Sequence, residues 1–138
     1  MPKTILITGS TDGIGLRTAK TLAMQGHTIL LHGRSPSKLA AAAAELGGGV
    51  KTYAADLSNM AEVEKLAAEV TTSNDPLDVL INNAGVYKVA NPTTPDGFDV
   101  RFMVNTFAPY VLTNALLPII PRDGRIVNLS SQPRPRST

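Results

Sequence analysis

The sequence predicts an α/β fold, a doubly wound parallel sheet with helices on both faces. Three observations predict it. Short runs of β-branched and aliphatic residues alternate with longer helical stretches along the 138 residues. The first run, Ile5-Leu6-Ile7, passes at once into the glycine-rich turn Thr8-Gly9-Ser10-Thr11-Asp12-Gly13-Ile14-Gly15 and then into a helical segment. The fourth run, Val79-Leu80-Ile81, passes as directly into Asn82-Asn83-Ala84-Gly85. Strands that alternate with helices pair in parallel through right-handed crossovers.

Each element has a local reason. The first apolar run predicts a strand over Thr4–Ile7, and the glycine turn opens a helix over 13–25. Thr28-Ile29-Leu30-Leu31-His32 reads as the second strand. Ser35 followed by Pro36 is an N-cap with proline at the first helical position, so a helix is expected over 36–46. Its Ala40–Ala44 run favours helix, and Gly47-Gly48-Gly49 ends it. A third strand is expected over 51–55 and a helix over 59–70, with Ser58 as its cap. Asn74-Asp75-Pro76 breaks the chain before a strand over 79–81. A long helix over 97–117 and a fifth strand over 125–129 complete the pattern.

Composition narrows the function classes. The length suits one domain, expected over residues 1–131, with 132–138 as a disordered or non-native-looking tail. A hydrophobic share of 43% is ordinary for a globular chain. A net charge of +2, with scattered basic residues and few aromatics, predicts no nucleic-acid surface. The absence of cysteine excludes disulfides, thiol catalysis and Cys-based zinc sites. His27 and His32 are too isolated to suggest a metal centre. No apolar signal run stands at the N-terminus, no segment is expected to approach the length needed to cross a bilayer, so no membrane span is expected, and the cytoplasm is the expected location.

The glycine turn points to a dinucleotide. Gly9, Gly13 and Gly15 put no Cβ between backbone and ligand. N–H groups and the helix dipole over Gly9, Ser10, Thr11, Asp12, Gly13, Ile14 and Gly15 can then meet a pyrophosphate. The tip of the second strand meets the adenosine ribose in such folds, where an acid favours NAD and an arginine favours NADP. Arg34 and Ser35 stand there, and no Asp or Glu occurs between His27 and Ala44. Asp56, with Leu57 after it, ends the third strand, where a carboxylate can accept the adenine amino group. Asn83, Ala84 and Gly85 border the same edge.

Thr-Gly-x-x-x-Gly-Ile-Gly with Asn-Asn-Ala-Gly at this separation resembles the short-chain dehydrogenase/reductase family, in its ordinary, non-extended subfamily. The resemblance covers about Lys3 to Ser131. Thr94-Pro95-Asp96-Gly97-Phe98, Val104-Asn105 and Leu112-Thr113 are similar to its retinol-dehydrogenase-like branch. The resemblance implies a Rossmann-type sheet. It also implies a nicotinamide cofactor, which Arg34 makes NADP with NAD possible, and a small-molecule alcohol or carbonyl as substrate of the parent enzyme. The family works with an Asn, a Ser and a Tyr-x-x-x-Lys. Asn105 and Ser131 match the first two as catalytic residues. Pro109, four residues after Asn105, supplies no N–H to that carbonyl, so the helix should depart from regularity there, and a relay water could bind at the carbonyl.

The third group is missing. Tyr53, Tyr87 and Tyr110 are followed four residues later by Leu57, Asn91 and Asn114, never by lysine. General acid–base catalysis contributes about a hundredfold to ten-thousandfold, so little turnover is expected without it. The sheet is therefore expected to be incomplete at its C-terminal side, as in a truncated chain, and a homo-oligomer is expected. With GC-rich codons supposed for the Ser-Ser-Ala-Ala-Gln-Ala-Pro-Val-Asp common in that branch, deleting one base gives Ser130-Ser131 and the tail Gln-Pro-Arg-Pro-Arg-Ser, with Thr if the last codon is Thr. Two other readings stay open: a non-catalytic NADP-binding regulatory module, and a non-functional truncated gene product.

Overall fold

The structure, a computed structural model, describes residues 2–74, 76–85 and 92–129. Five parallel strands form one sheet in the order β3-β2-β1-β4-β5. They are β1 (Thr4–Ile7), β2 (Thr28–Gly33), β3 (Lys51–Ala54), β4 (Val79–Asn82) and β5 (Arg125–Asn128). The chain starts at the centre, works outward to β3, then returns past β1 to β4. That reversal opens a crevice beyond the strand tips, where ligands bind in open α/β sheets.

The register explains the apolar runs. Ile5 lies opposite Ile29 and Val79, and Leu6 opposite Leu30 and Leu80. Successive side chains alternate between faces, and helices cover both faces, so both must be apolar. Leu6, Leu30 and Leu80 pack with Val63, Leu66, Leu112 and Leu116 on one side. Ile5, Ile7, Ile29 and Leu31 pack with Ala19, Leu39 and Ala42 on the other. Helices α1 (Gly13–Met24) and α2 (Pro36–Glu45) supply the second layer. Helix α3 (Met60–Ser73) and the helical stretch after β4 supply the first.

The helix starts show which side chains act as caps. Ser35 accepts the Lys38 N–H at 3.3 Å, as expected of an N-cap before Pro36. Ser58 does not cap α3; Asn59 does, accepting the Ala61 N–H at 3.0 Å. Ser58 instead donates its hydroxyl to Asp56 Oδ1 at 2.7 Å, which turns it away from the helix. Helix α3 also runs on to Ser73, since nothing breaks it before Asn74.

The long helix differs most from expectation. It begins at Val100, not Gly97. Gly97 lies in a turn at φ +88°, and Asp99 caps the helix by accepting the N–H groups of Arg101 and Phe102. After α4 (Val100–Phe102) comes a π segment, Met103–Phe107, then α5 (Ala108–Leu116) and a 3-10 turn, Leu117–Ile119. In the π segment the Ala108 N–H donates to the Met103 carbonyl, one residue further back than in an α-helix. Pro109 then falls in the first turn of α5, where a missing N–H costs little. The irregularity is where Pro109 predicts it, but it is a widened turn, and Asn105 keeps a partner of its own.

The expectation that no segment approaches membrane-crossing length is also corrected. Residues Val100–Ile119 form a 20-residue helical stretch of mean hydropathy 1.2. Its buried stripe, Val104, Ala108, Leu112, Leu116 and Ile119, belongs to the core beside α3. Core packing therefore accounts for that stripe's apolar character.

Candidate cofactor site

The tips of β1, β2, β3 and β4 surround a cleft of about 520 Å³. The glycine turn after β1 forms its floor. Gly9 and Gly13 adopt φ of +63° and +58°, where an L side chain is strained. A Cβ on Gly9 would stand 2.8 Å from the Ala84 Cα, so only glycine lets the β1 and β4 tips approach. A Cβ on Gly15 would run into the Gly9 carbonyl and the Asn83 side chain. Asp12 holds the N-cap position of α1 in extended backbone and makes no side-chain cap bond. The first N–H groups of α1 therefore receive no bond from the Asp12 side chain, at a helix end that favours anions.

Asn83 ties this turn to β4. Its Nδ2 donates to the carbonyls of Thr8 at 3.2 Å and Gly9 at 3.0 Å. In return Thr8 Oγ1 accepts the N–H groups of Asn83 and Ala84, each at 3.0 Å. The two motifs, far apart in sequence, are thus halves of one hydrogen-bonded unit. Asn83, Ala84 and Gly85 line the cleft wall. Asn105 lies next to this wall: a Cβ on Gly85 would come 3.5 Å from its Oδ1.

The far end is basic. Arg34 and Lys38 are exposed, line the cleft, and have no ion pair or side-chain hydrogen bond among the described residues. Ser35 stands between them. On the third wall Asp56 is held in place: its Oδ1 accepts the Ser58 N–H at 2.9 Å and hydroxyl at 2.7 Å. Its own N–H donates to Glu62 Oε1 at 3.0 Å. Leu57 borders the cleft while its side chain packs in the core.

Most residues expected from sequence converge here, including Thr11, Asp12, Gly13 and Ile14. Ser10 and Gly15 stand behind the lining. Ser10 is fully buried, its hydroxyl accepting the His32 N–H at 2.9 Å. Ser131 lies outside the described residues, as does the whole 132–138 tail.

Sequence reasoning missed five side chains of the lining, one of them Ser58, expected only as a helix cap. Lys38 follows Ser35 by one helical turn, a spacing that could have revealed it. Val100 and Val104, at i and i+4 on the helical stretch, give the cleft an apolar border. His32, isolated in the sequence, accepts the Gly9 N–H at 3.0 Å through Nδ1. Its Nε2 lies 2.9 Å from the Ala55 carbonyl. Burial, the largest influence, holds this imidazole below the usual histidine range, against the Ala55 carbonyl and the Asp56 charge, which raise it.

Comparison with known proteins follows the same line. The family model described as short chain dehydrogenase matches residues 3–134. Human retinol dehydrogenase 13 is 38% identical over 136 residues, covering 94% of this chain and 41% of that protein. A metagenomic short-chain oxidoreductase solved in complex with NADP superposes with a TM-score of 0.74 at 33% identity, over 85% of this chain and 55% of that one. A short-chain dehydrogenase from Sphingobium yanoikuyae, solved with NADPH, gives a TM-score of 0.72 at 32% identity, over 86% and 48%. The chain spans about half, or less, of the length of these relatives.

Proposed function

The chain belongs to the short-chain dehydrogenase/reductase family, and on that premise we propose that its cleft is an NADP site. One observation carries the reading: two exposed cations without partners among the described residues, Arg34 just past β2 and Lys38 in the first turn of α2, line the cleft where an NAD-preferring site would hold an acid. A planar guanidinium there suits a 2′-phosphate. The glycine turn and the N-terminus of α1 would take the pyrophosphate, and the fixed Asp56 carboxylate the adenine amino group. Asn83, Ala84 and Gly85 would border the nicotinamide half. Similar solved structures carry NADP and NADPH, which supports the reading.

When bound, the nicotinamide supplies or accepts a hydride at the carbon of an alcohol/carbonyl pair, the reaction class we propose for the parent enzyme. Asn105, whose Oδ1 would lie 3.5 Å from a Cβ on Gly85, would order a proton path beside the nicotinamide half. The printed sequence contains no Tyr-x-x-x-Lys, the family's means of moving a proton at the substrate oxygen. We therefore propose that this polypeptide by itself binds cofactor without turning it over. Its partner would be a second copy. Phe102, Phe107, Tyr110 and Leu117 form an exposed apolar face on the long helix, with Phe102 and Phe107 stacked at 6.2 Å.

Calorimetric titration tests the cofactor reading. NADPH is expected to bind more tightly than NADH, and Arg34→Ala to lose about 1.5–3 kcal/mol toward NADPH alone. Tighter binding of NADH, or an unchanged preference in Arg34→Ala, refutes it.

A further inference from the structure

We propose that His32 is a positioning residue of the cofactor cleft: its imidazole holds the glycine turn in its binding shape by accepting the Gly9 N–H through Nδ1. The proposal rests on the NADP reading of the cleft. Its geometry stands apart from that reading. The ring is 2% exposed and lies among the tips of three strands. The Gly9 N–H can only donate, so Nδ1 at 3.0 Å must accept. The Ala55 carbonyl can only accept, so Nε2 at 2.9 Å must carry the proton. One neutral tautomer satisfies both partners.

The backbone of His32 extends the same grip. Its carbonyl accepts the Ser10 N–H at 2.9 Å and the Ser10 hydroxyl at 3.3 Å. Glycine loses more freedom than any other residue when its backbone is fixed. A turn already pinned from below loses less on binding, which is preorganisation. The pin also divides the amides of the turn. Those of Gly9 and Ser10 are consumed by His32, so an anion in the cleft must be met by the amides that follow, at the start of α1.

Two conservative variants separate the roles of the ring nitrogens. His32→Asn sets an amide oxygen near the Nδ1 position and keeps an acceptor for Gly9. His32→Gln reaches toward Ala55 and offers Gly9 nothing. Titration of the 138-residue chain with NADPH and NADH, followed by cofactor fluorescence, compares them. His32→Asn is expected to stay within about threefold of the native affinity. His32→Gln is expected to weaken both cofactors equally, by about tenfold, the effect of one buried amide left without a partner. Long-range ¹⁵N spectra of the native chain are expected to show the Nε2-protonated ring. Equal affinities in all three proteins, a loss confined to NADPH, or an Nδ1-protonated ring overturns the proposal. A native chain that binds neither cofactor overturns the NADP reading and the proposal's cofactor role together.

Discussion

Replacing Gly9 and Gly13 by alanine, one at a time, separates backbone strain from steric collision. Both residues sit at positive φ, +63° and +58°. An L side chain there costs about 1–2 kcal/mol. A Cβ at position 13 would meet no atom within 4 Å, so Gly13→Ala should cost that strain and nothing more. A Cβ at position 9 would stand 2.8 Å from the Ala84 Cα, 3.1 Å from its Cβ and 3.3 Å from its nitrogen. Those atoms cannot swing aside, because the Ala84 N–H is bonded to Thr8 Oγ1 at 3.0 Å. Forcing a methyl into such a contact adds about 1–3 kcal/mol. Gly9→Ala should therefore lose about 2–5 kcal/mol, against about 1–2 for Gly13→Ala. A domain has about 5–15 kcal/mol in all, so the first variant is close to unfolding and the second is not. Urea denaturation at neutral pH measures both. A loss at Gly9 no larger than at Gly13 refutes the claim that the β1 and β4 tips are in fixed contact.

Three further outcomes are expected. The Arg101 side chain first, then the Arg101 and Phe102 N–H groups, hold the Asp99 carboxyl at about 2, below its ordinary 3.8. A lowered folded value means that its contribution is complete above 3.8 and fades as pH falls toward about 2. The stability gap between the native chain and Asp99→Ala should be flat from neutral pH to about 4 and close below it; a gap that closes near pH 6 contradicts this cap. Light scattering should show oligomers of the native chain and smaller species for Phe107→Ser with Tyr110→Ser; a monodisperse native monomer contradicts the proposed self-association. A steady-state NADPH assay with short-chain aldehydes and ketones should show no turnover, and a robust rate in the native chain refutes the proposed lack of an acid/base.

The sheet was legible because its evidence is local. The inner strands β1, β2 and β4 are short apolar runs packed on both faces, and the turns have their own chemistry, such as Ser35-Pro36 after β2 or the three glycines at 47–49 after α2. The helix ends were less legible. Asn59 outcompetes Ser58 as a start because Ser58 is committed to Asp56, and Asp99 outcompetes Gly97 because Gly97 lies in a turn at positive φ. The π segment shows the same limit. Pro109 announces an irregular helix, but packing of Val104 and Ala108 against the core goes with the widened turn that the structure adopts.

The residue types at the site follow from sequence, because a glycine turn, an arginine at a strand tip and a carboxylate at the next tip each have a chemical reason that needs no neighbour. Their joining does not. Asn83 and Thr8 are 75 positions apart, and only the parallel register of β1 with β4 makes them bond. His32 and Gly9 are 23 apart, and only the pairing of β2 with β1 places an imidazole beneath the turn. Sequence by itself determined the alternation of strands and helices, the cofactor class and the absence of Tyr-x-x-x-Lys. The tertiary structure decided which amides of the turn are already bound and which cations stand without a partner among the described residues. Hydrogen bonding saturates, and which groups are consumed is settled only when distant strands meet.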